Sequence, residues 1–356
     1  MIIKKWLALF LALVLLFSLA SCQFFNREED SPSSSQPAEE IDPEYPVAIG
    51  DIRISQRPEA VVSLSPALTE VLIDLGCSDR LAGISDFDDY PSSITSLPRA
   101  GTPQLPNLEE IENISPSVVF ASSSLTQEDT VKLQQMDIEV VVLKKAATLD
   151  ELENIYLTIA TIMDGAVSGE ENGRRVFDPL LERAQRLASA VQANVTQRLK
   201  GVYVRVPDFT VATGDTLEGR LLSMIGIDNI AQEYGEWVFP ADKASEFLPQ
   251  IIFYDQSIDI QQFASSEVYK NLDAVKNNQL VPVESLLFER QSSRMFSLLE
   301  EMAAAAYPQI DFGGETSSDT QDSALSQQDA SLESSGDSES DDELLTMDGV
   351  SMPGTT

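Results

Sequence analysis

The feature that most limits how this chain can fold is a rhythm of short, continuously apolar segments set between stretches of helical period. Ala60-Val61-Val62-Ser63-Leu64 reads as a strand. Ser65 then sits at an N-cap, Pro66 suits the first helical position, and Leu68, Val71, Leu72 and Leu75 recur at helical spacing until Gly76 ends the helix. Leu81-Ala82-Gly83-Ile84, Ser117 to Ala121 and Glu139 to Leu143 repeat the strand signal, with helices predicted over 108–114 and 126–136. Leu149 to about Val191 is helical throughout, open to interruption at Gly165–Gly173. The strand–helix rhythm then resumes with strands at Lys200–Arg205, Gln250–Tyr254 and Leu280–Val283, a helix over 218–224, and a closing helix from Ser292 to Ala306. Runs of Val and Ile that do not alternate with polar residues predict strands buried on both faces, hence parallel sheets covered by helices. The expected fold class is α/β: two small lobes with parallel sheets, joined by a long helix.

The two ends do not share this rhythm. Lys4 and Lys5 precede an apolar run from Trp6 to Phe17, which meets Leu19-Ala20-Ser21-Cys22. The run is too short for a spanning helix, which needs roughly 20 residues, and its order is that of a secretory leader. Leu-Ala-Ser-Cys resembles the lipobox of bacterial lipoproteins, which implies cleavage before Cys22 and lipid on its sulfur. The expected location is therefore the outer face of the cell membrane. The segments read as a leader (1–21), a Ser/Pro-rich tether (22–46), an N-terminal lobe (47–147), the connecting helix (148–192), a C-terminal lobe (193–309) and an acidic tail (310–356). Every charged residue from Asp311 onward is acidic.

Composition removes whole classes of function. A formal net charge of −35 argues against nucleic-acid binding, which demands clustered Lys and Arg. The chain has no histidine, so Ser-His and Cys-His catalysis, histidine-ligated zinc and axial-histidine haem are excluded. With Cys22 assigned to lipid, Cys77 has no partner for an internal disulfide and reads as a buried thiol. Asp86, Asp88 and Asp89 lack the glycine and distal glutamate of a calcium loop, and no metal site is expected.

Several segments, taken in order, resemble the helical-backbone class of ABC-transporter substrate-binding proteins. They are Pro58 to Leu72, Gly83 to Pro91, Pro106 to Ile111 with Ser115 to Ala121, Leu272 to Val281, and Ser293-Arg294. The resemblance spans roughly 47–309. It implies two Rossmann-like lobes held by a rigid backbone helix with the ligand cleft between them, and a monomeric binder, not an enzyme, that holds no resident cofactor and passes a metal chelate to an ABC permease with its ATPase. In such proteins an acid on each lobe docks on permease arginines. Glu109 matches the first; Asp242 stands where glutamate is usual, with Glu246 the alternative. Ser85 to Pro91 resembles cobalamin-binding members, so a corrinoid is preferred to a ferric siderophore. A zinc- or manganese-binding member of the related metal class is a second reading, opposed by the missing imidazoles. An extracellular hydrolase is a third, without a catalytic constellation to support it.

Ligands of open α/β sheets sit beyond the carboxyl ends of strands. That rule points to the loops at Ser65–Pro66, 86–90, 122–125, 205–209, 234–237, 254–255 and 288–290. From these, Ser65, Pro66, Phe87, Tyr90, Ser123, Arg205, Trp237, Tyr254, Phe288 and Arg290 are the candidate ligand-binding residues. The aromatics would stack on a flat ligand and the arginines would pair with carboxylate or phosphate. Arg294 reads instead as the partner of a carboxylate that holds the lobe together.

Overall fold

The computed structural model of the chain describes residues 42–312. The leader, Cys22, most of the tether and nearly all of the acidic tail lie outside the described residues. The described part of the chain from Glu44 onward is one compact unit.

It opens with a hairpin of β1 (Val47–Ile49) and β2 (Ile52–Ile54). The N-terminal lobe follows: β3 (Val61–Ser63), α1 (Pro66–Asp74), β4 (Leu81–Gly83), β5 (Gly101–Thr102), β6 (Leu105–Pro106), α2 (Leu108–Ile114), β7 (Val118–Ala121), α3 (Gln127–Gln135) and β8 (Glu139–Val142). Next come α4 (Leu149–Asp164) and α5 (Ala166–Asn194). The C-terminal lobe holds β9 (Leu199–Val206), β10 (Thr210–Val211), α6 (Leu217–Met224), β11 (Ile227–Asn229), β12 (Ile251–Asp255), α7 (Ile260–Ser265), α8 (Asp273–Lys276), β13 (Leu280–Val283), α9 (Ser285–Glu289) and α10 (Ser293–Ala306).

The first sheet has the order β4-β3-β7-β8 and is parallel throughout. In the second, β9 pairs with β12 and β12 with β13, all parallel. β11 joins β9 in parallel at its start, and β10 pairs antiparallel at its end. This last pairing departs from the expected all-parallel sheet; a two-residue strand carries no periodicity by which a sequence could announce it. Pro282 is tolerated in β13 because β13 is an edge, where a missing N–H breaks no ladder.

Helix ends follow local chemistry. The hydroxyls of Thr126, Thr148 and Thr216 accept from Asp129, Glu151 and Gly219 N–H at 3.1, 3.1 and 3.0 Å, capping α3, α4 and α6. Helix α1 stops at Gly76, whose φ of +77° suits glycine, and Cys77 N–H returns to Leu72 O at 2.8 Å.

The long helical stretch is two helices. The break falls at Gly165, with φ of +102°, and α5 runs back against α4. Two further glycines allow the close crossing. A Cβ on Gly169 would stand 2.5 Å from the Ala160 carbonyl oxygen, and one on Gly173 2.8 Å from Leu157 Cδ2. The start of α5 is capped from outside: Glu44 accepts from Val167 N–H at 2.7 Å and from the Ser168 hydroxyl at 2.8 Å. Those bonds hold its carboxyl below the usual range. Tyr45 is buried and donates to Ile162 O at 2.9 Å. The folded body thus begins at Glu44, a little before the boundary read from composition, because one acid and one aromatic at the end of a polar stretch have partners far along the chain.

Strand residues alternate between two cores. Val61, Val118, Phe120 and Val141 of the first sheet share a single core with Tyr203, Ile251, Phe253 and Val283 of the second, through α4, α5 and α10. Val62 and Val119 face a separate core on the far side of the first sheet, and Val202, Val204 and Ile252 another beyond the second. Phe177 of α5 sits between Tyr156 of α4 and Phe296 of α10, at ring distances of 5.1 and 6.4 Å. The lobes are therefore joined by a packed interior as well as by a helix.

Candidate functional site: the inter-lobe cleft

The carboxyl ends of the parallel strands of both sheets lead into loops that line a cavity of about 480 Å³. This lies within the roughly 300–1,000 Å³ of small-molecule sites. Ser65 follows β3, Phe87 and Asp89 follow β4, Ser122 follows β7 and Lys145 follows β8. Opposite them stand Arg205 at the end of β9, Asp255 at the end of β12, and Ser285, Leu286, Glu289 and Arg290 after β13. Pro66 and Ala67 complete the wall.

The cavity is charged but balanced. Arg205 Nη2 lies 3.1 Å from Glu289 Oε2, and Lys145 Nζ reaches across to Glu218 Oε1 at 3.3 Å. Burial raises the Glu289 pKa, an effect eased by Lys145 and Arg205. Asp255 goes the other way: burial opposes its charge, but hydrogen bonds from Ser285 and Ser257 and the field of Arg205 outweigh it, and its pKa falls. Trp237 lies one layer behind, with the Arg205 guanidinium 5.5 Å and the Lys145 ammonium 6.0 Å from its ring centre.

One wall doubles as a clamp between the lobes. Arg290 Nη1 donates to Glu70 Oε1 at 2.8 Å and also to Asp89, while Arg294 grips both oxygens of Glu70. The Ser292 hydroxyl donates to Glu70 Oε2 at 2.6 Å, and Ser293 donates to Asp74 through its N–H at 3.0 Å and its hydroxyl at 2.7 Å. Gln291 holds both the N–H and the carbonyl of Ala146 at 2.8 Å, from a backbone with φ of +58°. Glu70 is only 2% exposed, and removing one partner of such a buried set costs about 3–5 kcal/mol. Arg294 does pair with a carboxylate, but Glu70 lies on the other lobe, so the pair joins the lobes where it was expected to hold one of them together. The Arg294 guanidinium also lies 3.8 Å from the Tyr90 ring centre.

Of the residues proposed from sequence, Ser65, Pro66, Phe87, Arg205 and Arg290 come together in the cavity wall. Arg290 is already engaged by two carboxylates. Tyr90 is half-exposed and covered on one side by Arg294. Ser123 is beside the wall and accepts from Gln104 Nε2 at 2.9 Å. Two aromatics are elsewhere. Tyr254 is buried in the outer core of the C-terminal lobe, and Phe288 is fully buried edge-on to Tyr203 at 5.1 Å. In each case a charged neighbour faces the cavity instead: Asp255, because adjacent strand residues point opposite ways, and Glu289 with Arg290. Lys145, Ser285 and Leu286 were missed, although the strand-end rule, applied to β8 and β13, leads to them. Glu109 is exposed in the first turn of α2. Asp242 is exposed in the short 3₁₀ turn Ala241–Glu246, where Glu246 is paired with Lys243 at 2.9 Å.

Comparison with known proteins agrees with this architecture. The chain is 26% identical over 315 residues to the uncharacterized ABC transporter substrate-binding lipoprotein YvrC of Bacillus subtilis, covering 85% of this chain and 96% of that one. It is 24% identical over 248 residues to a vitamin B12-binding protein of Vibrio cholerae, covering 68% and 87%. Its fold is that of the periplasmic heme-binding protein RhuT of Roseiflexus, with a TM-score of 0.61 at 16% identity over 70% of this chain and 98% of that one. The model of the family described as periplasmic binding protein matches residues 61–285, and with the two-lobed fold in place the chain belongs to that family.

Proposed function

We propose that the protein is the extracytoplasmic receptor of an ABC importer, capturing a metal chelate between its lobes and delivering it to the permease. The observation that carries this reading is the cleft: the strand ends of both lobes converge on one cavity whose cations are each matched by a carboxylate. Such a cavity accepts a bulky ligand of small net charge without leaving a buried ion unpaired. This favours a corrinoid over a polyanionic ferric chelate, in line with the similarity to a vitamin B12-binding protein. The cleft is complete within one chain, which supports a monomer holding its ligand as cargo. Lipid on Cys22 and the tether after it would keep the receptor near its permease. Glu109 and Asp242 are the docking acids, Asp242 in preference to Glu246 because Lys243 already occupies the latter.

Calorimetry on the purified protein with cyanocobalamin, hemin and ferric citrate tests the reading. Micromolar or tighter binding of the corrinoid is expected, and silence with all three would sink it. Glu109→Lys and Asp242→Lys should each leave affinity unchanged while abolishing uptake by cells; uptake at the native rate would remove the docking assignment.

A further inference from the structure

A second cavity, of about 500 Å³, lies wholly within the C-terminal lobe, between the end of β9 and the segment around α7. It shares Arg205 with the cleft, so the two chambers meet at one half-exposed side chain. Like the cleft, which has Phe87 and Leu286 in its wall, it presents exposed apolar side chains. Val206 and Val268 are 44% and 52% exposed, and Pro207 and Ile258 stand with them. The floor is firm, since Phe263 and Tyr269 stack at 4.1 Å and 17°. Ser257, Asp259, Gln262 and Ser266 add polar groups at the wall.

We infer that the two chambers form one extended site: the macrocycle of the ligand occupies the cleft, and a pendent arm crosses Arg205 into the lateral chamber. This rests on the chelate-binding reading above. The cleft alone is in the lower half of the range that holds a drug-sized molecule, whereas a substituted tetrapyrrole is larger. The lateral chamber is of nearly equal size and about doubles the room. Arg205 is suited to the crossing point. Its guanidinium rests on the Trp237 face and on Glu289 and retains N–H groups to donate to a phosphodiester or amide on the arm. Beyond it, the valine-lined hollow takes an apolar or aromatic terminus. The site therefore selects chelates that carry such an arm over bare macrocycles.

Cyanocobalamin and dicyanocobinamide share a macrocycle, and only the first has a nucleotide arm. The native protein should bind cyanocobalamin at least tenfold more tightly. Val268→Arg fills the lateral chamber from an exposed position and should erase that preference while leaving dicyanocobinamide affinity unchanged. Val268→Ala should retain the preference. Equal affinities in the native protein, or a preference that survives Val268→Arg, would overturn the two-chamber site alone. If the native protein binds neither compound, the corrinoid reading falls and this inference falls with it.

Discussion

Asp88 stands between two cleft residues and is itself shut away, 4% exposed. Its Oδ2 accepts from Ser85 N–H at 2.7 Å and from the Thr69 hydroxyl at 3.3 Å, while its Oδ1 has no partner among the described residues. Burial pushes its pKa up to about 6, although those bonds and the nearby Arg290 and Arg99 pull the other way. An unfolded aspartate titrates near 3.9. The native carboxyl thus holds its proton more tightly than the unfolded one. From this group stability rises as pH falls from about 6 towards 4, by at most about 1.4 kcal/mol per unit, and the benefit is absent above pH 6. Asp88→Asn, which keeps the shape without the charge, should therefore exceed the native protein in urea midpoint at pH 7.5, with the margin closing by pH 4.5. A margin that stays constant or widens on acidification would show that Asp88 titrates like an ordinary carboxyl. The same neighbourhood shows how far residues could be read from sequence. The strand-end rule located the loops, yet it favoured Tyr254 and Phe288 because aromatics are good ligand contacts. Aromatics are also the side chains a core takes most readily, and the cavity was left to Asp255, Glu289 and Lys145.

At the scale of elements, the βα rhythm was legible almost throughout, since β3, β7 and β12 are buried nearly along their whole length and α1, α4 and α10 each bury an apolar face. What could not be read was how α4 meets α5. An interruption at Gly165–Gly173 was legible, but only three-dimensional packing makes Gly169 and Gly173 indispensable. Alanine at 169 improves intrinsic helix propensity by up to about 1 kcal/mol. It also places a methyl 2.5 Å from the Ala160 carbonyl oxygen and Thr161 Cα, and backbone does not give way as a flexible side chain would. Overpacking of this kind costs about 1–3 kcal/mol, so the clash should win. Gly169→Ala is expected to lower the thermal midpoint by several degrees; an unchanged or higher midpoint would mean that the hairpin has slack. The small pieces β5, β6, β10 and β11 were also beyond reach, each being a pairing of two or three residues without a pattern of its own.

For the molecule as a whole, the shared core and the clamp make the lobes one structure more than two. Glu70 and Asp74 belong to the first helix of the first lobe, but apart from the Tyr156 hydroxyl, which also donates to Asp74, the groups that satisfy them come from Arg290 to Arg294. A chain ending after Val283 would lose those donors together with the helices that cover the two carboxylates. Limited proteolysis of such a chain should cut within Pro66–Asp74 as readily as within the second lobe. Resistance across the first sheet would show that the N-terminal lobe stands unaided. The clamp also has a consequence in time. A polypeptide is made amino end first, and Arg290 follows Glu70 by 220 positions. Until those positions have been added, the first lobe lacks the charges that close it, so its maturation waits on almost the last piece of the body to be synthesised.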